Sequence, residues 1–330
     1  MTTRLFIIGN GFDLAHELPT NFNPDFKKIA EKYEQIPYFW EMYQSQEIDI
    51  WSDFENLLGK PDFNELEQIF EGYEPDCSSD CESDRDAIIT QVDLNGNLIP
   101  SLYEFAKQAE EKLIKTVAIS SNNELFEPKD LFVNFNYTHI LEKVYDIQAN
   151  RVLHVHGEVG QDNLILGYPK GDFSPEKYQY DVRQKGRGPY RKTDIREHIE
   201  DMVKNGMMDY YTYTAFEGLI NKVESFNKVP QIKLLEGFLG RNEIEEIIVN
   251  GHSCAIDFAY FEYLSDKFRE AEWVFYAFDN KTKINIEKLI KTIDIGNYKI
   301  LTYENEKYSI LKAIEEEFEN KKIEARNAVI

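Results

Sequence analysis

Four short segments combine residue types that could do chemistry. In FIIGNGFDLAH, residues 6–16, an apolar run passes straight into Gly9-Asn10-Gly11. Glycines lack Cβ atoms, so backbone N–H groups there can approach a phosphate at the start of a following helix. Gly9, Asn10, Gly11 and Phe12 are therefore a candidate phosphate-binding turn, and Asp13 and His16 could share one face of the helix. The segment is not the dinucleotide fingerprint, because Leu14 stands where a third glycine of G-x-G-x-x-G would fall. Read structurally, it is a strand–turn–helix with an Asp near the helix N-terminus.

The second segment, LFVNFNYTHILE (131–142), ends an apolar strand in Asn134, Asn136, Tyr137 and Thr138. Asparagines at a strand end can cap a helix, but two of them plus a threonine exceed what one cap needs. Ribose hydroxyls require both donors and acceptors, and an amide supplies both. The third segment is RVLHVHGEVG (151–160): strand periodicity places His154 and His156 on one face, and Gly157 closes the strand. Such a pair suits a general base or part of a metal pair, as well as a satisfied core. The fourth, IIVNGHSCAIDFAYFEYL (247–264), repeats the pattern with Asn250, Gly251, His252, Ser253 and Asp257 after an apolar strand. In an open parallel sheet, ligands bind at the carboxyl ends of strands, where all four polar clusters fall.

The elements that must carry these clusters follow from periodicity. Runs suited to buried strands occur at 4–9, 131–135, 151–156, 163–167, 246–250, 272–278 and 298–303. Helical spacing links Leu102, Phe105, Ala106, Ala109, Leu113 and Val117, and again Ile310, Leu311, Ile314 and Phe318. Alternating strands and helices predict an α/β fold, a doubly wound, mainly parallel sheet. Residues 1–330 read as one domain, with helical insertions over about 22–128 and 169–240, the first holding helices around 24–43, 52–71 and 100–118. Such lengths are too great for structureless loop in a compact domain.

Charge narrows the partners. With 37 Lys+Arg against 60 Asp+Glu, the net charge is −23, which repels polyanions and disfavours bulk nucleic acid or an anionic membrane surface. The local exception is RQKGRGPYRK, with Arg183, Lys185, Arg187, Arg191 and Lys192, read as a solvated loop or a phosphate-contacting one. No apolar stretch approaches the roughly 18 residues that span a bilayer, so a cytoplasmic location is expected. Cys77 and Cys81 lie in an acidic loop without partners for a zinc site, and no metal is expected.

Taken in order, GNGFDLAH, WSDFENLL, FNYTHILE, HVHG and GHSCAIDFAYF resemble the AbiH-like abortive-infection family of bacterial anti-phage proteins. More distantly, the layout is similar to sirtuin-like (SIR2-like) NAD-binding, Rossmann-like domains. That resemblance implies phosphates at Gly9 and Gly11, and catalytic roles for Asn136 and His156. It also implies that NAD+ is a substrate rather than a resident cofactor. Thr138 stands where sirtuins carry aspartate and no four-cysteine module is present, so it implies NAD+ hydrolysis rather than deacetylation. Breaking the nicotinamide–ribose bond passes through an oxocarbenium-like state, with Asn136 orienting water and His156 accepting a proton. The competing expectations are a metal-dependent phosphoester or nucleic-acid hydrolase using Asp13, His16, His154, His156 and either His252 or Asp257 around one or two ions, and a non-catalytic nucleotide sensor. An abortive-infection NAD+ hydrolase must also be restrained, by the insertions, by homo-oligomerisation or through a phage trigger protein.

Overall fold

The computed structural model describes residues 3–32, 43, 49–63, 98–116, 126–169, 180–183 and 190–302. The polar stretch with Cys77 and Cys81, the C-terminal helical pattern and residues 184–189 of the basic loop lie outside them. The chain divides into two compact units, one built from 1–21, 103–165 and 230–330, the other from 22–102 and 166–229.

The first unit carries a six-stranded sheet: β1 (Arg4–Ile8), β2 (Leu131–Asn134), β3 (Val152–His154), β4 (Glu246–Asn250), β5 (Glu272–Ala277) and β6 (Tyr298–Thr302). The spatial order is β6-β5-β4-β1-β2-β3, and every pairing is parallel. Strands buried on both faces read as continuous apolar runs, which is why RLFII and EIIVN show no polar alternation. Leu5, Ile7, Val249, Trp273 and Phe275 pack on one face with α4 (Ile232–Leu239), α5 (Phe258–Lys267) and α6 (Asn280–Ile293). Phe6, Ile8, Phe132 and Ile248 pack on the other with α1 (Asn10–Ala15), the end of α2 (Leu98–Leu113) and α3 (Ile140–Val144). Each fully buried large side chain stabilises by about 1.5–3 kcal/mol, so the two faces fix the register.

The expected doubly wound α/β sheet is therefore present. Its strand order reverses at β1, where the chain passes to β2 on one side and β4 lies on the other. The topological switch point therefore lies between the ends of β1 and β4, where ligands of open α/β sheets bind. In register, Ile8 is level with Asn134 and Asn250, and Asn134 with His154, so one row of strand ends carries three polar side chains.

The 163–167 run does not form the expected strand. Leu164 and Leu166 are buried, but Ile165 N–H bonds back to His156 O (2.9 Å), making a turn that closes on the preceding loop. Burial, not pairing, explains its apolar composition.

In the second unit, Phe22, Phe26, Trp51 and Phe54 form an aromatic cluster; Trp51 and Phe54 stack at 5.0 Å. Helices Ile195–Lys204 and Tyr210–Ser225 start where Asp194 and Asp209 accept the N–H groups of Glu197 and Thr212. The expected strand-poor stretch 169–240 also holds an antiparallel ribbon, Tyr180–Arg183 with Tyr190–Thr193. Its charged sequence hid it.

Candidate functional site

The glycines of the β1–α1 turn serve chain-on-chain contact. A Cβ on Gly9 would stand 2.5 Å from His252 Cα, and one on Gly11 2.9 Å from Gly251 Cα. Gly251 has φ +73° and would put a Cβ 2.4 Å from Phe12 N. Gly9 N–H donates to Asn250 O (3.0 Å) and Gly11 N–H to Gly251 O (2.8 Å). Those two N–H groups, expected to meet a phosphate, are spent on the β4 loop instead. Asn10 donates its amide to Thr20 O (2.8 Å), and Phe12 is wholly buried.

Behind this contact stands Asn250. Its side chain is fully buried, and neither amide atom has a hydrogen-bond partner among the described residues. An orphaned buried polar atom costs about 1–3 kcal/mol, so the site calls for a ligand or water at the switch point.

Next to it lies a closed polar network. Asn136 Nδ2 donates to Gly9 O (3.1 Å) and to Asp13 Oδ1 (2.7 Å), and Thr138 Oγ1 donates to Asp13 Oδ2 (2.7 Å). Asn134 Oδ1 accepts the Asn136 N–H (3.0 Å), which turns the chain at the end of β2. Burial pushes the Asp13 carboxyl up to about 7, against the opposing pull of the Thr138 and Asn136 donors. His16 is core rather than site: Nδ1 meets Phe12 O (2.8 Å), Nε2 meets Tyr145 Oη, and burial lowers its pKa to about 4.

His154 and His156 do not share a face, contrary to expectation. β3 stops at His154 and the chain turns, so His156 packs edge-on against Phe135 (5.1 Å) beside Tyr260, with the β4–α5 loop. There Asp257 Oδ1 is 3.2 Å from His156 Nε2, and Asp257 Oδ2 is 3.6 Å from His252 Nε2. An ionised Asp257 accepts the Nε2 proton, which leaves the basic lone pair of His156 on Nδ1. Cys254 N–H donates to His252 Nδ1 (3.0 Å), so the His252 proton also sits on Nε2. The loop is strained: Cys254 (φ +54°) and Asp257 (φ +66°) are left-handed without being glycine. Gly157, at φ +83°, is required by Asn163 O, 2.2 Å from any Cβ. Tyr137 donates to Ile165 O (2.8 Å), and Ser253 is exposed.

On the other side, His154 joins His139. His154 Nδ1 faces Asn136 O (3.1 Å) and Nε2 faces Glu142 Oε1 (2.9 Å). His139 Nδ1 faces Glu110 Oε1 (2.9 Å) and Nε2 faces Glu158 Oε2 (3.0 Å). Asp13, His16, His154 and His156 thus do not converge on one ion.

The profile of the family described as bacteriophage abortive infection AbiH matches residues 5–277. The chain belongs to the AbiH family. Its role is in phage abortive infection, as the sequence motifs implied. No curated protein matches it. The family match runs from β1 through β5 and so covers every cluster above.

Against this AbiH site, sequence reasoning brought Gly9, Asp13, Asn136 and Thr138 together and paired the loops bearing His156 and Asp257. It placed Asn250 at the head of the fourth polar cluster but gave it no role of its own, although IIVN repeats the strand-end grammar of LFVN. It also missed His139, Glu110, Glu142 and Glu158; the His154–Glu158 and His139–Glu142 spacings were visible, but 60 acidic residues mask any three of them.

Proposed function

We propose that this AbiH protein binds a nucleotide in the crevice at the ends of β1 and β4 and hydrolyses NAD+ at the nicotinamide–ribose bond. What carries the reading is the His156–Asp257 dyad on the β4–α5 loop, which begins at the orphaned Asn250. The Asn250 amide has two N–H donors and a carbonyl acceptor to offer a nucleotide, and a ligand removes its desolvation cost. His156 Nδ1 takes a proton from water as the water oxygen bonds to the ribose C1′. Nicotinamide leaves with the electron pair of the broken C–N bond, and ADP-ribose and a proton complete the balance.

Asn136 acts through its remaining carbonyl oxygen, because Nδ2 is already committed twice. Asp13 and Thr138 are positioning residues that hold that amide. The distant likeness to SIR2-like, Rossmann-like domains supports NAD+ as the substrate, and the strand order is compatible with it.

The test incubates the purified full chain with NAD+, ATP, RNA and DNA and follows nicotinamide release. His156→Asn and Asp257→Asn should each lower turnover about 10²–10⁴-fold, the usual contribution of a positioned base. Parental rates in both would refute the mechanism. NAD+-induced thermal stabilisation with no nicotinamide released would make the crevice a sensor.

A further inference from the structure

His139 and His154 sit with ring centroids 5.3 Å apart, and around them stand Glu110, Glu142 and Glu158. The nearest neighbour of each Nδ1 is an oxygen that can only accept: Glu110 Oε1 for His139 (2.9 Å), and for His154 the backbone carbonyl of Asn136 (3.1 Å), with Asn134 Nδ2 farther off at 3.5 Å. The Nδ1 positions therefore carry the protons, and the lone pairs lie on Nε2. Yet both Nε2 atoms point at carboxylate oxygens, at 3.0 Å and 2.9 Å. Lone pair does not bond to lone pair, so the arrangement requires positive charge between them. Two extra ring protons could supply it, or one divalent cation.

Two observations favour the cation. The ligand atoms of His139, His154 and Glu158 all lie within 4.8 Å of one another. Two ligands each about 2.1 Å from a tetrahedral ion stand about 3.4 Å apart, and Glu158 Oε2 brackets that spacing, 3.0 Å from His139 Nε2 and 4.0 Å from His154 Nε2. In addition, Glu142 Oε2 is buried without a partner, while its Oε1 already faces His154. A second proton on His154 would leave that oxygen unpaired; an ion gives it a charge to face. The fixed Nδ1–H partners also match what a metal-bound imidazole normally has behind it.

We propose that His139, His154 and Glu158 bind one divalent first-row transition ion of the zinc class, with Glu142 facing His154 beside it. Two imidazoles and carboxylate oxygen suit such an ion better than calcium or magnesium, which take all-oxygen sites. The ion ties the start of α3 to the end of β3, and through the His154 Nδ1–H bond it orients the carbonyl of Asn136. It thereby positions the Asn136 loop, whatever the crevice binds.

The experiment strips the full-length protein with a chelator, loads it with Zn2+, desalts it and measures zinc per chain. Co2+ loading, read by its ligand-field spectrum, reports the nitrogen–oxygen set. The parent should keep about one ion. Glu158→Gln, at a position a third exposed and tolerant of change, and His139→Gln should each weaken retention at least tenfold, and Glu110→Gln about 10–100-fold as an outer partner. His156→Asn should leave it unchanged. A parent that retains less than about a tenth of an ion per chain overturns the proposal. So does equal retention in Glu158→Gln and His139→Gln, or loss confined to His156→Asn, which would place the metal at the Asp257 loop.

Discussion

Asp13 lies on α1 and His16 caps its end, and burial moves both toward their neutral forms, with opposite consequences for pH. The Asp13 carboxyl rises from 3.8 to about 7, so between those values the native chain holds a proton that the unfolded chain releases. Stability from this group falls as pH rises through that window. His16 falls from 6.5 to about 4, so the unfolded chain takes up a proton that the native chain refuses, and stability falls as pH drops through that range. Between about pH 4 and 6.5 the two effects oppose each other in the parent. Single variants unmask them. Asp13→Asn, near in shape to the protonated carboxyl, should match the parent at pH 4.5 and gain on it by a few kcal/mol at pH 8. His16→Gln should gain on the parent on acidification instead. Urea unfolding at pH 4.5, 6 and 8 checks both, and a constant difference for either variant across pH would refute the assigned burial effect.

At the scale of elements, the decisive contact is between two loops, β1–α1 and β4–α5, that the chain separates by more than 200 residues. Gly251→Ala should be severely destabilising, because its φ of +73° strains any side chain and the new Cβ would meet Phe12 N at 2.4 Å, backbone that cannot swing away. A melting temperature within a degree or two of the parent would mean the loops are not docked this way. Asn250→Leu tests the opposite logic: the apo protein should be as stable or more so, since two unpaired polar atoms vanish, while nucleotide-induced stabilisation is lost. Much of this fold was legible, since double-sided burial writes strands as unbroken apolar runs and the polar cluster after each run marks its carboxyl end. What stayed hidden was long-range or local to a turn. Nothing in FIIGNGF announces that its glycines fit Gly251 rather than a phosphate, and the period-two reading of His154 and His156 assumed a strand that stops at His154. The 163–167 run had strand composition, but its apolar side chains are buried in a turn.

The whole molecule carries a formal charge of −23, and two electrostatic effects of salt compete in it. Screening weakens favourable ion pairs, but those at the surface are worth about 0–1 kcal/mol each. Arg269–Asp266 and Lys204–Glu200, both highly exposed, are of this kind. The partly sheltered Arg4–Asp130 pair (2.7 Å, with Asp130 fully buried) is screened less. Screening also relieves repulsion among an excess of 23 negative charges, which acts over every carboxylate pair within a screening length and grows with the square of the charge. That length shortens from about 10 Å at 0.1 M to about 3 Å at 1 M salt, so the repulsive sum loses more than such surface pairs do. The melting temperature should therefore rise by several degrees between low salt and 0.5 M KCl, a salt chosen because it is not strongly excluded from protein surfaces. The same field bears on what reaches the AbiH crevice: duplex DNA should not be retarded by the protein even at low ionic strength, where binding driven by counterion release would be tightest. A melting temperature that drops with KCl, or a DNA shift that salt abolishes, would show that local basic clusters rather than the net charge govern this protein's encounters.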